Sequence, residues 1–233
     1  APPSAKAGAK TSSAASPRSS GGTPVNAPSR TETPTWRSSA DWGGRLGYDA
    51  AALRRVNLDA VAWVAGLRRS WAGRIDGAIV ISGIIGPRGD GYLAGTPGSA
   101  AQAEAFHLPQ AQALSEGGVD MLAGVTMTSA AEACGVALAA RAVGLPAAIS
   151  FTVETDGRLP SGESLRDAMA AVEAAAPPAY FGLNCAHPTH FEPILATLGA
   201  LAARIRGLRA NASPRSHAEL DDAAELDIGD PPD

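Results

Sequence analysis

Cysteine is scarce in this chain: two residues, Cys134 and Cys185, in a length of 233. Two cysteines cannot build a disulfide framework, and no C-x-x-C pair announces a zinc ribbon or a redox motif. A reducing, cytoplasmic setting fits that economy. Aromatic residues make up only 5% of the chain and charged residues 18%, while the apolar share of 45% is largely alanine. The formal net charge is -4 with no basic block, so the electrostatic footprint of a nucleic-acid binder or a polybasic membrane anchor is missing. The longest apolar stretches, such as Gly77 to Ile85, are too short to span a bilayer and run into Gly86-Pro87. Neither G-x-G-x-x-G nor G-x-x-x-x-G-K-[ST] occurs, so a dinucleotide fold or a P-loop has no support.

What is present is enough for a folded α/β domain that works on small molecules. Residues 1–30 are rich in Ala, Ser, Pro and Lys/Arg without the apolar core of a secretory signal, and read as a disordered leader. The folded domain is expected over residues 31–233, where Trp36, Trp42, Leu46 and Tyr48 end the low complexity. From Ala50 to Trp71, apolar residues recur at helical spacing (Leu53, Val56, Val61, Val64, Leu67, Trp71) behind Asp49 as N-cap. Ala78 to Ile85 is a continuous apolar, β-branched run, the pattern of a strand buried on both faces.

The alternation then repeats. Helix-like segments are expected at Ser99 to Gly117, Ser129 to Val143, Gly162 to Ala175 and Phe191 to Arg204. Strands are expected at Val119 to Val125, Ala147 to Val153, Ala179 to Asn184 and Ile205 to Ala210, and Glu32 to Thr35 would end a sixth. Strands alternating with helices of this length build right-handed βαβ units around a parallel sheet. Polar residues gather just after the strands: Arg88, Asp90, Thr126, Thr128, Glu154, Asp156, Asn184, Cys185 and Asn211. That edge carries the site in barrels and in doubly wound sheets alike. With no dinucleotide fingerprint, a (β/α)8 barrel of the TIM type is the favoured architecture.

Three ordered segments resemble the zinc-dependent homocysteine S-methyltransferase family. They are Val119-Asp120-Met121-Leu122 with Ala131-Glu132-Ala133, Ile149-Ser150-Phe151-Thr152 with Asp156-Gly157, and Gly182-Leu183-Asn184-Cys185. Thr33-Pro34-Thr35-Trp36-Arg37 and Ile85-Gly86-Pro87-Arg88-Gly89-Asp90-Gly91 look like the ends of the family's second and third strands. The resemblance implies a barrel that binds zinc through one cysteine after strand six and two adjacent cysteines after strand eight. It implies methyl transfer from S-methylmethionine or S-adenosylmethionine to homocysteine, giving methionine. Cys185 would be the metal ligand, with Asn184, Asn211 and Thr126 lining the substrate pocket. A zinc-bound thiol is deprotonated near neutral pH, and three protein ligands leave a fourth position for the substrate sulfur.

The departures from the pattern are specific. The paired cysteines have no counterpart, and the acidic, Gly-rich first strand finds no match in residues 1–30. The glutamate that holds the substrate amino group in the family falls at Val125. First and last strands are neighbours in a closed barrel, so an incomplete barrel with one open seam is expected, consistent with a truncated or frame-shifted copy of a longer protein. Open strand edges invite aggregation or pairing with another chain, a homo-oligomer included, and the alternative to the working enzyme is a truncated, catalytically inactive or partner-dependent barrel fragment.

Plainer readings stand beside each candidate. Cys185 could be a small buried hydrophobe, and Cys134, in a helix, reads as core. Cys-Ala-His-Pro-Thr-His could hold a metal through His187 and His190, or these could be capping or solvent-facing loop residues with Phe191 opening the next helix. Glu154 and Asp156 could serve as acid and base without any metal, or Asp156-Gly157 could simply form a turn. Arg88 and Asp90 could line the pocket or pair with each other. His107 reads as structural and His217 as a surface residue.

Overall fold

The helices that follow the first three strands open on the same local device. Ser99, Ser129 and Ser164 each accept a hydrogen bond from the backbone three residues on, at Gln102, Glu132 and Asp167, which satisfies an amide that the first helical turn leaves unpaired. Asp49 does the same for Ala52 at 2.7 Å. The computed structural model describes residues 39–74, 76–89, 91–92, 98–227 and 229. The leader at 1–30, the strand end at Glu32 to Thr35, Thr33-Pro34-Thr35-Trp36-Arg37 and Asp90 lie outside the described residues.

The order of elements is α1 (Ala40–Arg45), α2 (Ala50–Trp71), β1 (Ser82–Ile85), α3 (Ala100–Gly117), β2 (Met121–Met127), α4 (Ala130–Ala142) and β3 (Ala147–Phe151). It continues with α5 (Leu165–Ala175), β4 (Tyr180–Asn184), α6 (Pro188–Leu195), a 3-10 turn over Gly199–Arg204, β5 (Ile205–Arg209) and α7 (His217–Asp221). All of these fall in one compact unit, Thr33–Asp233. Helix α2 has the bounds its apolar spacing predicts. Helix α3 closes where Gly118 turns left-handed at φ 89°, a conformation glycine adopts without a side-chain clash.

The strands form one parallel sheet in the order β1-β2-β3-β4-β5. A doubly wound sheet reverses direction at a switch point; among the described residues this one does not. With right-handed crossovers, an unreversed order places the helices on one face and leaves the other as the inside of a barrel. The structure is thus part of a TIM-like barrel, with β1 and β5 as the sheet edges among the described residues.

The helix-facing side of the sheet carries Leu122, Ile149, Phe151, Phe181 and Leu183, all nearly or fully buried. Alanine dominates the facing helix α4, where Ala133, Val136, Ala137, Ala139 and Ala140 are buried. Small side chains let helices approach closely, and α3 and α4 meet where Gly135 lies against the backbone of Ala103 and Glu104. The inner side aligns Ile84, Ala123, Ala148 and Tyr180 in register, then Ser150, Gly182 and Gly207. These residues line a cavity of about 220 Å³ together with Asn184 and Arg209. Among the described residues no helix is long and apolar enough to cross a membrane.

Several boundaries differ from the sequence reading. The run from Ala78 contributes only Ser82–Ile85 to the sheet, and Val80 is exposed, because Asp120 caps the strand start by accepting from the Ile81 amide at 2.7 Å. The segment expected as a single helix from Phe191 to Arg204 begins earlier, at Pro188, and breaks into α6 and the 3-10 turn. Proline needs no amide partner in a first turn, so Pro188 starts the helix. Helices α1 and α7 were not anticipated; both are too short to show periodicity.

Candidate functional site

Two residues at the carboxyl edge of the sheet adopt a conformation that non-glycine side chains avoid. Thr126 has φ 58° and Cys185 has φ 56°; among the described residues no other non-glycine residue has positive φ. Each such residue costs on the order of 1–2 kcal/mol, more for a β-branched threonine, so surrounding contacts must hold it there. At Thr126 the cause is visible in the register: Gly124 pairs with Ile149 and Met127 with Phe151, three steps on β2 against two on β3. This bulge turns the Thr126 backbone inward.

Asn184, at the end of β4 and buried, ties the two strained residues together. Its Oδ1 accepts from the Thr126 amide at 2.9 Å, and its Nδ2 donates to Thr126 Oγ1 at 2.7 Å. The same Nδ2 lies 3.1 Å from Cys185 Sγ, and Thr126 Oγ1 lies 3.8 Å from that sulfur. Cys185 is half-buried, and its backbone is fixed on both sides. Its amide donates to the Arg209 carbonyl at 3.1 Å, while Thr152 Oγ1 and His217 Nε2 both donate to its carbonyl.

Three of the residues singled out from the sequence, Thr126, Asn184 and Cys185, therefore converge. Asn211 comes near through its backbone, its amide donating to the Ala186 carbonyl at 3.0 Å. Asp156 accepts from the Arg158 amide two residues on, which is the turn reading. Arg88 pairs with Asp41 at 2.8 Å and lies over the Phe106 ring. His187 caps α6. His190 is buried and bonds the Pro214 carbonyl at 2.9 Å, so it neither caps nor faces solvent. His107 is buried, as a structural residue should be, and meets Glu132 at 2.6 Å. His217 is only 7% exposed, contrary to the surface reading: its Nδ1 meets Glu154 Oε1 at 2.8 Å and its ring stacks on Tyr92. Its one sequence signal was Ser216-His217-Ala218-Glu219, a capping box that starts α7.

The donor set does not meet the three-thiolate site that the resemblance implies. Among the described residues, no group of three His, Cys, Asp or Glu side chains is placed to hold a metal. His187 Nδ1, His190 Nε2 and both nitrogens of His217 already have partners. Cys185 is thus a single soft donor, flanked by an amide and a hydroxyl.

Removing Asn184 strands two buried groups of Thr126. Asn184→Ala is expected to lower stability by about 2–3 kcal/mol, the cost of leaving a buried amide and hydroxyl unpaired. Urea unfolding measures it, and a loss under half of the lower figure would mean that water replaces the amide.

The other cysteine behaves oppositely. Burial in α4 pushes the Cys134 thiol above its ordinary pKa, and the nearby Glu163 carboxylate adds to the rise. Iodoacetamide at neutral pH is expected to modify Cys185 and spare Cys134, as peptide mass spectrometry would show. The folded state holds that proton more tightly than the unfolded one. Its contribution to stability is therefore complete below the ordinary thiol pKa and is lost as pH rises through the folded value.

No protein of curated function matches the chain. Among solved structures, the metallated form of the homocysteine methyltransferase MmuM from Escherichia coli is similar at a TM-score of 0.64 and 20% identity, over 78% of this chain and 74% of that one. Its oxidized form gives 0.64 and 21% over the same shares, and its apo form 0.58 and 22% over 72% of each. At this identity the likeness carries the fold. The family is carried by sequence: the homocysteine S-methyltransferase family model matches residues 29–227, most of the chain, and the protein belongs to that family of enzymes.

Proposed function

We propose that this chain transfers a methyl group from a sulfonium donor, S-methylmethionine or S-adenosylmethionine, to the thiol of homocysteine, giving methionine. The observation that carries the reading is the Thr126–Asn184–Cys185 cluster, two strained residues held by one buried amide where a barrel presents its chemistry. Strain of this kind persists only where surrounding structure enforces it, and such residues cluster at functional sites.

In the transfer, the acceptor sulfur forms a bond to the methyl carbon while the donor's S⁺–CH₃ bond breaks, leaving a neutral thioether. The acceptor's proton goes to solvent. Thr126, Asn184 and Asn211 would contact homocysteine; Asn184 lines the cavity of about 220 Å³, whose volume suits an amino acid of that size. Zinc at Cys185 belongs to this reading as a question of binding. One thiolate is a weak site for zinc, and no step of the transfer is assigned to the metal.

The missing donor group also favours a second reading, a barrel that lacks turnover by itself and needs further donors from outside the described residues. Methionine formation by the purified chain, measured with each donor and alongside zinc per chain, separates the two. Turnover with bound zinc is expected from the first reading. No methionine at saturating substrates and added zinc would overturn it and leave the second.

A further inference from the structure

The ring of His217 meets three groups, none of which the proposed reaction uses. Its Nε2 donates to the Cys185 carbonyl, its Nδ1 faces Glu154 Oε1 at 2.8 Å, and the Tyr92 ring lies on it with centroids 4.1 Å apart. A carbonyl oxygen only accepts, so Nε2 carries a hydrogen and points at Cys185. Glu154 on the opposite nitrogen and Tyr92 on the ring face leave the imidazole little freedom to turn. The residue lies 32 positions beyond Cys185 in sequence, at the start of α7, where the Ser216–Glu219 capping box anchors the chain.

Cys185 needs such a contact. No glycine occupies the left-handed turn after β4, so the conformation is not intrinsic to the local sequence. The backbone before the residue is anchored by the Arg209 carbonyl, and the backbone after it by His217 together with a longer bond of 3.4 Å from Thr152 Oγ1. If the carbonyl were released, the residue could relax to an extended conformation. Sγ would then swing away from the Asn184 amide.

We propose that His217 is a positioning residue: by holding the Cys185 carbonyl it keeps that residue left-handed and its sulfur aimed at Asn184 and the substrate edge. Glu154 and Tyr92 hold the ring in place for this. The proposal rests on reading Cys185 as the functional thiol, but its test does not depend on turnover.

Because the chain has two cysteines, labelling with ¹³C-cysteine yields two sets of NMR signals. The Cα and Cβ shifts report the backbone conformation at each residue, with helical Cys134 as the internal reference. His217→Phe keeps a ring for Tyr92 to pack on and removes both hydrogen bonds. It is expected to move the Cys185 signals to extended values and leave Cys134 unmoved. His217→Gln, whose amide can still donate to the carbonyl, is expected to restore left-handed values. Cys185 signals unmoved in a folded His217→Phe protein would overturn the proposal. If the phenylalanine variant unfolds, His217→Gln decides: extended values there overturn the proposal, and left-handed values support it. A wild-type chain that forms no methionine yet shows the shifts would sink the proposed reaction and leave the role of His217 intact.

Discussion

Serine at position 185 is expected to reduce methionine formation by about a hundredfold or more while leaving the melting temperature nearly unchanged. The expectation rests on the proposed reading of Cys185 as a zinc ligand: disturbing even the outer partners of a metal ligand costs about 10- to 100-fold, and loss of a ligand itself belongs at or above the top of that range. The chemical reason is that a hydroxyl stays protonated at neutral pH, whereas a thiol can become the soft, anionic donor that zinc prefers. The fold should not notice. Asn184 Nδ2 can donate to a serine oxygen as it does to Cys185 Sγ, and its two bonds to Thr126 are untouched. Steady-state turnover and thermal melting measured on the same sample check both halves. Retention of more than about a tenth of the activity would remove Cys185 from the chemistry, because that loss is smaller than disturbing a metal site produces.

The largest effect on stability is expected at Gly135. In a helix interior, alanine is ordinarily better than glycine by about 1 kcal/mol. At Gly135 a Cβ would stand 2.3 Å from Ala103 Cβ, 2.6 Å from the Glu104 amide nitrogen and 2.7 Å from the Ala103 carbonyl carbon. Two of those atoms are backbone and cannot swing aside, so α3 and α4 must separate along their whole contact. Gly135→Val is expected to cost about 3 kcal/mol or more, a large share of the 5–15 kcal/mol that holds a typical domain together. Gly66 is the control. It lies within α2, where the nearest atom to an added Cβ is the far end of Arg69 at 3.8 Å, and Gly66→Ala should stabilise by about 0.5–1 kcal/mol. Denaturant unfolding of the pair should give opposite signs; stabilisation in both would mean that α3 and α4 yield to the added side chain at little cost.

Much of the fold can be read from the chain because buried parallel strands announce themselves. Ala147 to Phe151 and Tyr180 to Asn184 are short apolar runs bounded by turn residues, and both form strands close to their expected bounds. The amphipathic spacing of α2 is as clear. What escaped the sequence were elements of about one turn, such as α7, and the breaking of α6, although Pro193 inside that helix and a left-handed Gly199 at the start of the 3-10 turn flank the break.

The site divides the same way. That Thr126, Asn184 and Cys185 sit at strand ends follows from the alternation of elements. That one amide serves the other two does not, because the bond from Asn184 to Thr126 joins residues 58 apart. The left-handed turn at Cys185 lacked the glycine that would have signalled it. His217 was hidden for a related reason: its partners Cys185 and Glu154 lie 32 and 63 residues away, and the return of the chain after β5 brings it to them. The sequence reading puts the family's glutamate at Val125. Val125 lines the cavity and offers no charge for a substrate amino group.

The unreversed strand order also bears on how the domain is made. Among the described residues each strand pairs only with its sequence neighbours, so none of these pairings waits for a distant segment to be synthesised. Closing such short loops costs less chain entropy than uniting distant ones, and structures rich in local contacts form faster. The sheet can therefore grow one strand–helix unit at a time as the polypeptide leaves the ribosome, with each finished unit serving as the template for the next.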